Sequence, residues 1–129
     1  MKSIALTLTA TLLMSISPDN TDKQMSGEQL DALMTGNTIY LTNPGGSGEI
    51  VLWYGAGGAA RARLNSASRL TGTWQVKGNL SCIKWSYDPN TDSCSKLVRR
   101  SNSLVLLENG TDRLLGTVRS IVPGNVEKL

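Results

Sequence analysis

The stretch Leu70–Cys94 (LTGTWQVKGNLSCIKWSYDPNTDSC) constrains this chain most. It places both cysteines and two of the three tryptophans around one tight turn. Thr71–Val76 reads as a strand, because Thr, Trp and Val favour extended backbone and Trp74 and Val76 alternate with Thr73 and Gln75. Lys77-Gly78-Asn79 supplies the turn, since Gly and Asn accept positive φ cheaply. Leu80–Trp85 is the return strand. Its alternation is imperfect: Leu80 and Cys82 share one face, Ile83 and Trp85 the other. Either both faces are covered or a bulge shifts the register near Cys82. Tyr87-Asp88-Pro89-Asn90 ends the strand.

Cys82 and Cys94 are the only cysteines. In an exported chain an even count at this separation predicts an intramolecular disulfide. Closing so short a loop stabilises by roughly 3 kcal/mol in the chain-entropy model. A redox or metal pair lacks support: there is no C-x-x-C, no histidine and no third soft ligand.

The first residues predict export. Met1-Lys2 is a minimal positive region, and Ser3–Ile16 is an uncharged, largely apolar run too short to span a bilayer. Residues 1–17 are therefore expected to be a secretory signal peptide. Ser15-Ile16-Ser17 has small residues at cleavage spacing, although Pro18 behind the cut is unfavourable. Residues 18–25 are polar and expected to be a linker. Residues 26–129 form the expected single domain, with no stable membrane span after cleavage and a periplasmic or secreted location.

Within that domain, Ser26 with Gln29 fits a capping box. Leu30, Leu33 and Met34 share one helical face, and Gly36 is a C′ stop. Strands are expected at Asn37–Thr42, Glu49–Tyr54, Ala59–Leu64, Ser95–Arg100, Ser103–Glu108 and Leu114–Ile121, besides the two of the central hairpin. Short turns join them, and Asn109-Gly110 is the strongest hairpin signal. Ala60, Ala62 and Leu64 lie on one face of their strand, Arg61 and Arg63 on the other. The small alanines predict something bulky opposite. About eight antiparallel strands behind one short N-terminal helix make a mainly β (α+β) meander. Its exposed edges are avoided by a small barrel or a strongly curved sheet, plugged by the helix.

The pattern G-T-W-x-V, L-x-C-x-x-W and a later Cys, at Gly72–Val76, Leu80–Trp85 and Cys94, resembles a family of small exported proteobacterial proteins of unknown function. Trp53-Tyr54, Gly58, Arg61 and Arg63 are similar to that family's upstream hairpin. Gly116-Thr117-Val118 and Val122-Pro123-Gly124-Asn125 are similar to its tail. The likeness covers about residues 30–129. Gly57-Gly58 stands where Asp-Gly is common in the family, so any role of that Asp is absent here. The resemblance implies a fold and an exported location, and no mechanism.

No motif names a reaction. The chain lacks histidine, the commonest general base and zinc ligand. It has no G-x-S-x-G nucleophile elbow, and Asn43–Gly48 lacks the ending of a phosphate loop. Asp88-x-Asn90-x-Asp92 resembles the start of a calcium loop without its Gly and distal Glu. No catalytic residue, metal or cofactor is assigned. The net charge of +3 is spread along the chain, unlike the clustered Lys and Arg of nucleic-acid binders. The expected function is a non-enzymatic exported module binding a small apolar ligand, with Trp53 and Tyr54 at the mouth and Arg61 and Arg63 beside them. Trp74 and Trp85 are expected to be structural. The alternatives are a domain that binds or inhibits an envelope protein and, more remotely, a hydrolase using carboxylates such as Asp88 and Asp92.

Overall fold

The computed structural model describes residues 21–65 and 67–129. The expected leader, residues 1–17, lies outside the described residues. So does the start of the expected linker. The described part of that linker is not featureless: Lys23–Gln24 forms a short strand, β1, on Arg99 and Val98, and Met25 packs against the core.

Helix α1 spans Gly27–Met34. The barrel strands follow as β2 (Asn37–Thr42), β3 (Glu49–Tyr54), β4 (Ala59–Leu64), β5 (Ser68–Lys77) and β6 (Leu80–Trp85). Then come β7 (Ser93–Arg100), β8 (Ser103–Glu108) and β9 (Leu114–Pro123). Each strand from β2 to β9 pairs antiparallel with its neighbours in sequence. β9 returns to pair with β2 from Asn37↔Pro123 to Thr42↔Thr117. The meander is thus a closed eight-stranded barrel rather than an open curved sheet. Closure removes the edges that an open sheet would leave unpaired.

Three expected strands are extended by their partners. β5 begins at Ser68, where Leu64 pairs with it. β7 begins at Ser93, because Cys94 lies directly opposite Cys82. β9 runs on to Pro123 opposite Asn37. The register of β9 shifts once against β2, where Arg119 is the extra residue, and once against β8, where Leu115 is. These bulges bend β9 so that it fits two neighbours at once.

The broken alternation of β6 has the first of its two expected causes. No register shift occurs against β5 or β7. Both faces are covered instead: Ser81, Cys82 and Ile83 are all buried. The Cys82–Cys94 disulfide lies across β6 and β7, with Cα atoms 4.0 Å apart.

The helix closes one end of the barrel. Ser26 caps it as expected: its Oγ accepts from Gln29 N–H at 3.1 Å, and its own N–H donates to Gln29 Oε1 at 2.8 Å. Leu30 and Met34 are fully buried and join the barrel core. The helix start rests on the β5–β6 turn, where Gly27 N–H donates to Asn79 Oδ1 at 2.8 Å. At its far end Gly36 takes a φ of +76°, which ends the helix as a C′ glycine does. Gly36 N–H then donates to Tyr54 O at 2.6 Å, and its carbonyl accepts from Gly124 N–H at 2.8 Å.

The bulky group opposite Ala60 is Tyr54, with Leu52 and Leu70 beside Ala62. Tyr54 is the direct partner of Ala60, and Ala60 of Gly72. The Tyr54 and Trp74 rings meet edge to face, 5.1 Å apart at 81°, a favoured aromatic geometry. Gly72 allows β5 and β6 to approach closely: a Cβ there would lie 2.3 Å from the Lys84 carbonyl oxygen.

Gly72→Val should therefore lower stability by roughly 1–3 kcal/mol, the usual cost of overpacking, read as a reduced denaturation midpoint. Cys82→Ser/Cys94→Ser should lose about 3 kcal/mol in urea unfolding. Reductant should lower the wild-type midpoint by a matching amount and leave the double variant unchanged.

Candidate functional site

Antiparallel topology sends the 43–48, 86–92 and 109–113 connections, with Asn65 and Ala67, to the end opposite α1. A cavity of about 750 Å³ opens there. That is within the range of small-molecule sites, about 300–1,000 Å³. Its walls are the inward, alternate residues of several strands: Leu41 of β2, Ile50 and Leu52 of β3, Ile83 of β6 and Leu106 of β8. Trp85 flanks the mouth, and Tyr54 lies deepest along β3, five positions beyond the strand's first residue at the rim. Helix side chains do not line it.

The rim is polar. Asn43, Asp92, Glu108, Asn109 and Arg113 contribute to it. Its carboxylates are already engaged. Asp92 binds Lys77 Nζ, with Lys84 Nζ at 3.9 Å. The Lys77 hydrogen bond holds the Asp92 carboxyl below its ordinary pKa. Glu108 accepts from Arg113 Nη2 at 3.0 Å and Thr111 Oγ1 at 2.7 Å. Arg113 first, then Thr111, lowers its pKa likewise.

Hydroxyls are the polar groups below the rim. Tyr54 and Ser95 line the cavity, and Ser81 lies behind them, paired with Ser95 across β6 and β7. Burial pushes the Tyr54 phenol far above its ordinary pKa, and the neighbouring Ser81 hydroxyl offsets part of that. Ser81 Oγ is nevertheless buried without a partner at hydrogen-bond geometry. Ser95 Oγ donates to Ser81 O over a long 3.4 Å.

The four expected binding residues do not converge. Of Trp53, Tyr54, Arg61 and Arg63, only Tyr54 faces the cavity, at its inner end rather than its mouth. Trp53, Arg61 and Arg63 alternate with inward residues and therefore point out of the barrel. Trp53 pairs with Thr38 and Arg61, and its ring folds over Gly55, where a Cβ would lie 2.7 Å away. Its buried Nε1 has no acceptor. Arg61 Nη1 donates to Ala60 O at 2.9 Å. Arg63 is held by Glu127 at 2.9 Å and Glu49 at 4.0 Å.

Trp74 donates from Nε1 to Gly55 O at 2.8 Å and packs against the core. Trp85 has a second position, in the cavity wall. Ser95, Glu108 and Arg113 are polar lining residues that the sequence did not single out for binding; Asp92 stood there only as a carboxylate and Trp85 only as a structural residue. For the strand residues a signal existed: period-two alternation marks Ile83 and Trp85 as one face, but not which face encloses space. Among the described residues, no three carboxylates or cysteines come together as a metal site would need. No described helix is long and apolar enough to cross a membrane. Comparison with protein families, characterised proteins and solved structures gives no match.

A charged cluster fixes the chain's end to the outer wall. Tyr40 Oη donates to Glu127 Oε2 at 2.5 Å, and Arg63 binds the other oxygen. Both depress the Glu127 carboxyl pKa, the Tyr40 hydrogen bond most. A carboxyl whose folded pKa is lowered contributes stability that is full above its unfolded value and fades as pH falls through the folded one. Wild-type stability should therefore decline below the ordinary Glu value of 4.5. Glu127→Gln should flatten part of that decline in melts recorded across acid pH.

Proposed function

We propose that this chain is an exported, non-enzymatic β-barrel module that holds a small apolar or amphipathic ligand. The observation that carries the reading is the cavity of about 750 Å³, aliphatic within and polar at its rim, in a barrel plugged at the other end. An eight-stranded barrel has room either to fill itself with side chains or to hold one small ligand. The alanines at 60 and 62 and the glycine at 72 favour the second outcome.

A periplasmic or secreted location agrees with the leader-like residues 1–17 and with the Cys82–Cys94 disulfide, which suits an oxidising compartment. It also agrees with the resemblance to small exported proteobacterial proteins. A role in binding or inhibiting an envelope protein through the Arg61 and Arg63 face has less support, since Glu127 and Glu49 already occupy Arg63. A carboxylate hydrolase has less still, since lysines hold Asp92.

Trp85 reports on occupancy. Adding a lipid and metabolite panel to the purified protein should shift its tryptophan emission for at least one apolar compound. Leu106→Phe and Leu52→Phe place extra volume in the cavity. They should weaken that binding at least about tenfold, or about 1.4 kcal/mol, and leave the melting temperature nearly unchanged. Unaltered affinity in both variants would place the ligand elsewhere.

A further inference from the structure

We infer that the cavity selects uncharged molecules bearing a hydrogen-bonding oxygen on an apolar body, such as a ketone, ester or alcohol, over carboxylates and ammonium ions of the same length. The inference rests on the reading of the cavity as a ligand site. It starts from the charges around that site. Asp92, Glu108 and Arg113 are the charged residues of the lining. Asp92 is bound by Lys77 and Lys84, and Glu108 and Arg113 bind each other. Each charge at the mouth already has a counter-ion, so an ionic head group there gains less than it would from a bare one. A charge carried further in would meet aliphatic walls and no counter-ion, and burying an unpaired charge is strongly unfavourable.

The deep polar groups point the same way. Tyr54 and Ser95 are neutral hydroxyls: the Tyr54 proton can go to a carbonyl oxygen, and the Ser95 oxygen, whose own proton goes to Ser81 O at 3.4 Å, can accept from an alcohol. Ser81, 1% exposed, stands beside them with its Oγ unpartnered. Native interiors seldom leave such a group unmet. A ligand oxygen seated on the Tyr54 hydroxyl would accept its proton inside the cavity. Burial also raises the Tyr54 pKa, so the same environment resists a negative charge on a ligand.

The test is isothermal titration of the full domain with a chain-matched set: a fatty alcohol, a methyl ketone, a fatty carboxylate and an alkylammonium. The alcohol and ketone should bind at least about tenfold tighter than the two ions. Tyr54→Phe keeps the ring that packs on Trp74 and removes the hydroxyl. It should lower ketone affinity about five- to tenfold with the melting temperature nearly held. If that variant does not fold, Ser95→Ala, which removes an acceptor, should give a smaller loss, read on the alcohol. Equal or tighter binding of the carboxylate or ammonium overturns the neutral-ligand assignment and leaves the binding cavity standing. Neutral preference that survives both substitutions overturns the role of the hydroxyls. Folded wild-type protein that binds none of the four overturns this inference together with the cavity reading.

Discussion

The pairing of β2 with β9 is the constraint on which the rest depends. It joins the first and last strands of the barrel, and no local signal enforces it. Without it both strands would be edges, with rows of unpaired backbone groups facing water. With it, Ile39 and Leu41 face Ile121 and Val118 across a continuous wall, and an inside exists. The fit is close. A Cβ on Gly116 would lie 3.1 Å from Leu41 Cβ, and the bulges at Leu115 and Arg119 let β9 follow β2 and β8 together. Arg119 then turns outward to bind Glu49 and to lie 5.0 Å from the Tyr40 ring centre.

Closure makes the two ends unequal. At one, α1 lays Leu30 and Met34 over the core and anchors on the β5–β6 turn. At the other, no element among the described residues covers the barrel, and the mouth is bordered by loops. Interior volume follows from side-chain size. The chain contains no phenylalanine. Of its large inward aromatics, Tyr54 pairs along the sheet with Ala60 and Trp85 with Gly72, while Trp74 pairs with Ile83. The remaining aliphatic walls leave space that a more aromatic interior would occupy.

Ion pairs do local work on this frame. Lys77 and Lys84 fix Asp92 beside the disulfide-bonded strands, and Arg113 with Thr111 fixes Glu108 at the β8–β9 turn. Among the described residues, each charged side chain of the lining thus has a partner. On the outer wall, Glu127 links the tail to Tyr40 and Arg63. Such exposed pairs contribute little individually. Their effect here is positional: they fix where the charged side chains of the rim and the tail lie.

By itself the sequence determined the local elements. Capping chemistry fixed the start of α1, glycine its end, and period-two patterns with turn residues placed eight strands and the cysteine pair. These depend on neighbours a few positions apart, so a linear reading reaches them. The extra residues of β5, β7 and β9 were out of reach because partner strands, not propensity, extend them. Trp53 and Tyr54 show the deeper limit. They are adjacent, similar in chemistry and flanked by glycine, yet one lies outside the barrel and the other inside. Only tertiary structure decided that, because which face of a strand becomes the interior is set by how the whole sheet curves and closes. The same holds for the site: Leu41, Tyr54, Ile83 and Leu106 come together through barrel closure, a long-range event that no short stretch of sequence encodes.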